Sequence, residues 1–219
     1  ENTGAEKSVH SRALLCLGIC LYHLNDNKTA LKYLNELEIS EPGFETQKLN
    51  FFLAENYFTT GDYKSALNNY NSSTGTDQEI NSQALYGKAY CYFNTGDYEN
   101  SAVQFANYIK ENPKNKRISD AKLRLADSYF GSKNFSAASK VYQELFSADA
   151  KLSTDPYARY QYAQALYKSG KTNEAISEFN SIQQKFPNSE YAEVSLYTIG
   201  WIHFQKKEYT QSIAQYNSV

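Results

Sequence analysis

The chain has 219 residues and a formal net charge of −2, from 22 basic and 24 acidic side chains, so it carries no positive footprint for nucleic acid or an anionic membrane. Three cysteines, an odd number without dense spacing, set no disulfide framework, and no apolar run approaches the about 20 residues that span a bilayer. The apolar share is ordinary, but 20 Tyr and 12 Phe make aromatic rings a main packing material.

In chain order, residues 1–10 read as a lead-in that frays over ENTGAEK. Six units follow at 11–44, 47–80, 82–115, 119–152, 156–189 and 193–219, the last incomplete, so residues 11–219 read as one array. Their starts are spaced 36, 35, 37, 37 and 37 residues apart. Each reads as a helix, a turn, a second helix and a stop. The turns are Asn25-Asp26, Gly61-Asp62, Gly96-Asp97, Lys133-Asn134, Gly170-Lys171 and Lys207-Glu208, residue types that tolerate turn geometry and in part cap the next helix. Pro42, Pro113 and Pro187 fall at slot thirty-two and stop second helices, whereas Pro156 follows Asp155 and suits a first helical turn. Units two and four have Gln78 and Ala150 at slot thirty-two, which predicts looser junctions. The chain lacks methionine and ends in mid-pattern, and so reads as a piece of a longer protein.

Within this frame slot eight is small throughout (Gly18, Ala54, Ala89, Ala126, Ala163, Gly200) and slot eleven mostly large. Slot twenty is small again, and slot twenty-four is large: Leu34, Tyr70, Phe105, Tyr142, Phe179 and Tyr216. Small facing large lets two antiparallel helices approach closely. The pattern resembles the tetratricopeptide repeat over nearly the whole chain. It departs at slot four (Asn50, Lys122, Arg159) and at Lys88 in slot seven, which predicts tilted or less tightly packed helices there. The resemblance implies an all-α solenoid of helix pairs in a right-handed superhelix. The phrase SEYAEVSLYTIGWIHFQKKEY is closest in flavour to bacterial envelope members, of the outer-membrane β-barrel assembly lipoprotein and periplasmic cell-division coordinator types.

Successive helical residues turn by about 100°, so slots five, nine and twelve of the first helix form one stripe. In the resembled fold that stripe lines a concave groove where partners bind. Its aromatic members here are Tyr22, Phe51, Phe58, Tyr86, Tyr90, Phe93, Phe130, Tyr160, Tyr167, Tyr197, Trp201 and Phe204. They would bury apolar side chains of a protein or peptide partner. The slot-twelve rings recur in every unit and fit equally a role in packing helix on helix. Tyr86, Tyr90, Tyr197 and Trp201 stand where other units have Leu15, Ile19, Glu55, Asp127 and Gln164, which favours binding. On this reading Tyr90 and Trp201 are replaceable by alanine without unfolding. No slot-five lysine and slot-nine asparagine occur together, which argues against a receptor for chaperone tails.

Cys16, Cys20 and His23 share a helical face, but slot ten holds mostly small residues elsewhere, so Cys20 reads as packing rather than as a metal ligand. His10, His23 and His203 lie far apart and form no nucleophile–base arrangement, and the basic Lys114-Asn115-Lys116-Arg117 stretch reads as a solvated linker. No catalytic residue, cofactor, metal, nucleic-acid partner or membrane span is expected. The leading expectation is a non-enzymatic protein-interaction scaffold, in the bacterial periplasm or at the outer membrane. The alternatives are a recruitment module of a larger enzyme and a glycan- or peptidoglycan-binding repeat protein. Each unit needs its neighbours, so self-association of the isolated chain through its exposed terminal repeat would be an artefact of the fragment rather than biology.

Overall fold

The computed structural model describes residues 3–218, which form thirteen α-helices and no strand among the described residues. They fall into two compact units, Glu1–Pro113 and Lys114–Val219. The first holds three helix pairs: α1 (Thr3–His23) with α2 (Asn27–Ser40), α3 (Thr46–Thr59) with α4 (Tyr63–Ser72), and α5 (Gln78–Asn94) with α6 (Tyr98–Glu111). The second holds α7 (Ile118–Gly131) with α8 (Phe135–Ala148), a single turn α9 (Ala150–Ser153), α10 (Pro156–Lys168) with α11 (Thr172–Lys185), and α12 (Glu190–Gln205) with α13 (Tyr209–Tyr216). Within each unit a first helix packs on its own second helix and on the second helix before it. This is the all-α repeat fold that the periodicity predicts.

All six turns share one backbone device. The residue at slot fifteen is left-handed each time: Asn25, Gly61, Gly96, Lys133, Gly170 and Lys207, with φ between 61° and 87°. Glycine takes this conformation without penalty, and asparagine or lysine bears a cost. The next residue then caps the second helix where its chemistry allows. Asp26, Asp62, Asp97 and Asn134 accept from the amides of Thr29, Ser65, Asn100 and Ala137, at 3.1 to 3.3 Å. Lys171 and Glu208 make no such bond. Pro42, Pro113 and Pro187 stand two residues beyond α2, α6 and α11, and Pro156 opens α10 under the Asp155 cap.

Three local expectations are corrected. The lead-in over residues 1–10 is helical from Thr3 onward, and its first two residues lie outside those described. Ala5, Glu6 and Lys7 favour helix, and Lys7 bonds to Ser11 and pairs with Glu41. The two junctions expected to be loose are tied. Gln47 reaches Asp77 through both its amide groups at 3.0 Å, and Asn81 brackets Gly75 in the same way at 3.1 and 2.8 Å. The Ala150 junction folds into α9, capped by Asp149, and Arg159 donates to the Ser153 carbonyl at 2.7 Å. Two of the three polar residues at slot four are satisfied rather than disruptive. Asn50 donates to Ser72, and Arg159 pairs with Glu178 and lies over the Phe146 ring.

The core of each unit is the row of slot-twenty-four rings and their neighbours. Tyr70, Phe105, Tyr142 and Phe179 are all at most 1 % exposed. Each is covered by the small residues of slots eight and twenty, such as Ala54 with Ala66 and Ala126 with Ala138, which are fully buried.

Candidate functional site

The first helices carry the predicted stripe, but most of it faces inward. Phe51 is only 5 % exposed and packs on Tyr70 with ring centroids 6.3 Å apart. It is a core residue and not a groove residue, because slot five leans onto the slot-twenty-four ring of its own pair. Tyr86 and Tyr90 are half-buried for the same reason. Tyr86 lies 6.1 Å from Phe105 and 5.0 Å from Tyr108, and Tyr90 lies 5.2 Å from Phe105 and 6.5 Å from Phe58. An alanine at Tyr90 would therefore empty part of an aromatic cluster, so that residue cannot serve as a clean test of binding. Tyr160 packs on Phe179 and Tyr191, and its hydroxyl accepts from Gln164 at 2.7 Å.

The slot-twelve rings have a structural partner that the sequence reading missed. Phe58, Phe93, Phe130 and Phe204 each meet the aromatic residue that opens the second helix, Tyr63, Tyr98, Phe135 and Tyr209, edge to face at 5.2 to 5.9 Å. The ring pair braces the hairpin across its turn. The signal was present as an aromatic at slot seventeen in the same four units. In the other two, Tyr22 donates to Glu55 at 2.7 Å and Tyr167 packs against the core of its unit.

The residues that replace aromatics at slot nine form buried polar clusters. Glu55 accepts from Tyr70 at 2.6 Å and from Tyr22 at 2.7 Å. Asp127 accepts from Tyr142 and, at 2.7 Å, from Arg124, and Tyr157 reaches the same carboxylate. Burial raises the Asp127 carboxyl above its usual value, against the lowering pull of Tyr142 and Arg124. Burial and the neighbouring carboxylate also push the Tyr70 and Tyr142 hydroxyls far up, so both stay neutral donors. Slots nine and twenty-four vary together in four units: Tyr70 and Tyr142 meet an acid at nine, whereas Phe105 and Phe179 meet Tyr90 and Gln164; in the last unit Tyr216 is paired with Trp201. These carboxylates therefore satisfy tyrosines.

Exposed rings gather at one place, the face of α12 and α13. Tyr197 is 56 %, Trp201 42 % and Phe204 48 % exposed. Tyr216, at the slot that is buried in every other unit, is 36 % exposed. Tyr197 and Tyr216 lie 5.7 Å apart, Trp201 stacks on Phe204 at 5.7 Å, and Ile213 completes an apolar face. Tyr70 and Tyr142, at the same slot as Tyr216, lie under the first helix of the next pair, α5 and α10. Cys16 and Cys20 are exposed, and Cys91 is buried with its thiol pushed up to about 12. Among the described residues no group of three His, Cys, Asp or Glu side chains could hold a metal ion.

Two family models, both described as tetratricopeptide repeat, match residues 53–116 and 129–196. The chain is built of tetratricopeptide repeats. Solved structures agree on the fold at low identity. A MamA from Desulfovibrio magneticus RS-1 is 17% identical, with a TM-score of 0.65 over 79% of this chain and 92% of that one. YrrB, described as a TPR protein with an unusual peptide-binding site, is 10% identical, with a TM-score of 0.70 over 87% and 94%. A second MamA, of AMB-1, is 14% identical, with a TM-score of 0.70 over 84% and 95%. No curated protein sequence matches. No enzyme family is indicated. Among the described residues no helix of this tetratricopeptide chain is long and apolar enough to cross a membrane.

Proposed function

We propose that the protein is a non-enzymatic interaction scaffold whose aromatic face on α12 and α13 takes an amphipathic helix of a protein partner. One observation carries this reading. Tyr197, Trp201 and Phe204 of α12 are 56 %, 42 % and 48 % exposed, beside Tyr216 at 36 % and Ile213 at 60 % on α13. Exposed rings and an aliphatic residue on two packed helices suit the apolar side of an amphipathic helix. The description of YrrB as having a peptide-binding site is consistent with this use of the fold. Selection from a displayed library of amphipathic helical peptides tests it. Binders are expected to weaken by about tenfold or more with Trp201→Ala or Tyr197→Ala, as for a central aromatic anchor. Far-UV circular dichroism is expected to stay unchanged, because both rings are exposed. Undiminished binding with intact helicity overturns the reading.

The setting proposed is a bacterial envelope complex, and its support is the resemblance carried by SEYAEVSLYTIGWIHFQKKEY. Fractionation of cells expressing the full-length protein is expected to recover it with periplasmic or outer-membrane material. Recovery in the cytosolic fraction overturns the setting and leaves the scaffold reading intact.

A further inference from the structure

We infer that Glu55, in the first compact unit, receives a cationic side chain, an arginine, from a protein partner. The inference goes beyond the aromatic face of α12 and α13 and does not depend on it.

The second unit supplies the pattern. There Asp127 at slot nine accepts from Tyr142 at slot twenty-four, from Tyr157 of the next pair and, at 2.7 Å, from the Arg124 guanidinium. Arg124 stands at slot six of the same helix, three residues earlier. Glu55 repeats the hydroxyl half of this arrangement. Tyr70 donates to one carboxylate oxygen at 2.6 Å, and Tyr22 of the preceding pair donates to the other at 2.7 Å. The cationic half is missing. Slot six of α3 is Phe52, and among the described residues no basic side chain pairs with Glu55. A carboxylate has about four acceptor positions, so two hydroxyls leave about half of them unused. Asp127 is sealed at 7 % exposed, whereas Glu55 is part-exposed and can be reached from outside.

The surroundings suit a planar cation. Phe52 and Phe58 stand three residues on either side of Glu55 along α3, so they flank it on the helix surface. Tyr22 meets Phe52 with ring centroids 5.7 Å apart, Tyr90 meets Phe58 at 6.5 Å, and all four rings are part-exposed. Aromatic faces attract a guanidinium, which also matches a carboxylate through two parallel N–H groups. The chain already uses arginine in this way, since Arg159 bonds to Glu178 and lies 4.3 Å over the Phe146 ring. A lysine ammonium would engage the carboxylate but lacks the planar group that stacks on a ring.

Titration of the 219-residue chain with the blocked tripeptide acetyl-Ala-Arg-Ala-amide, followed by NMR of isotope-labelled Tyr and Phe rings, tests this. Saturable shifts are expected at Tyr22, Phe52, Phe58 and Tyr90. Affinity is expected to exceed by about tenfold or more that of the same peptide with neutral citrulline in place of arginine. Glu55→Gln removes the charge and keeps one oxygen for the tyrosines, and it is expected to abolish the preference for arginine with helicity unchanged. Phe52→Arg supplies from slot six the guanidinium that Arg124 supplies in the second unit, and it is expected to block the peptide. Equal affinity for the two peptides in the wild type overturns the inference without need of a variant. So does an arginine preference that survives Glu55→Gln, or shifts scattered over other acidic positions. Trp201→Ala is expected to leave the preference unchanged, so this inference and the scaffold reading fail separately.

Discussion

Asp127→Ala is expected to destabilise the second unit by about 2–4 kcal/mol, measured by urea or thermal unfolding. The carboxylate is only 7 % exposed and satisfies Tyr142, Arg124 and Tyr157 together. Alanine leaves the Tyr142 hydroxyl, on a fully buried ring, without its acceptor, and leaves Arg124 without its closest carboxylate. Tyr142→Phe is expected to cost less, because Asp127 keeps Arg124. The cluster also carries a pH signature. Burial holds the folded-state carboxyl above its usual value, so its stabilising contribution is complete below the unfolded-state value and is lost as pH rises through the folded one. Asp127→Asn does not ionise. Its stability relative to wild type is therefore expected to increase with pH across that window and then level off. A pH-independent difference would show that desolvation does not dominate at this site.

Gly87→Ala is expected to cost about 1–3 kcal/mol, although alanine is the better helix former. A Cβ there would stand 2.3 Å from Cζ and 2.6 Å from the hydroxyl oxygen of Tyr70. The ring cannot swing away cheaply. It is 1 % exposed, and its hydroxyl is anchored at 2.6 Å to Glu55, which Tyr22 holds from the other side. Tyr70→Leu in the same chain frees that space, and the additional loss from Gly87→Ala is expected to shrink by more than half. Equal costs in both backgrounds would mean that the strain lies elsewhere in α5. The coupling is of the kind expected for residues in direct contact.

Both sites show which correlations a sequence carries openly and which it hides. Glu55 and Asp127 break an aromatic stripe, and read along one helix they look like variation between units. Read across the two helices of a pair, they accompany Tyr70 and Tyr142, while Phe105 and Phe179 accompany residues with no charge to satisfy. The brace between slots twelve and seventeen was legible in the same way, as two aromatic columns present in the same four units. One-dimensional periodicity assigns a residue to a face of its own helix. It does not say which side chain of the partner helix will lie opposite.

Helix boundaries, turns and stops followed from local chemistry alone. Left-handed slot fifteen, the aspartate and asparagine caps, and the prolines act within a few residues of themselves, so the repeat and its all-α fold could be read unit by unit. Exposure could not be read in that way. Phe51 and Tyr197 occupy the same slot, yet one is 5 % and the other 56 % exposed. Tyr70 and Tyr216 differ likewise, at 1 % and 36 %, and the first lies against Gly87 of α5. Residue type at a slot is a property of the unit, whereas accessibility is a property of the stack. Tertiary packing therefore decided which part of the aromatic stripe is exposed, namely Tyr197, Trp201 and Phe204 on α12.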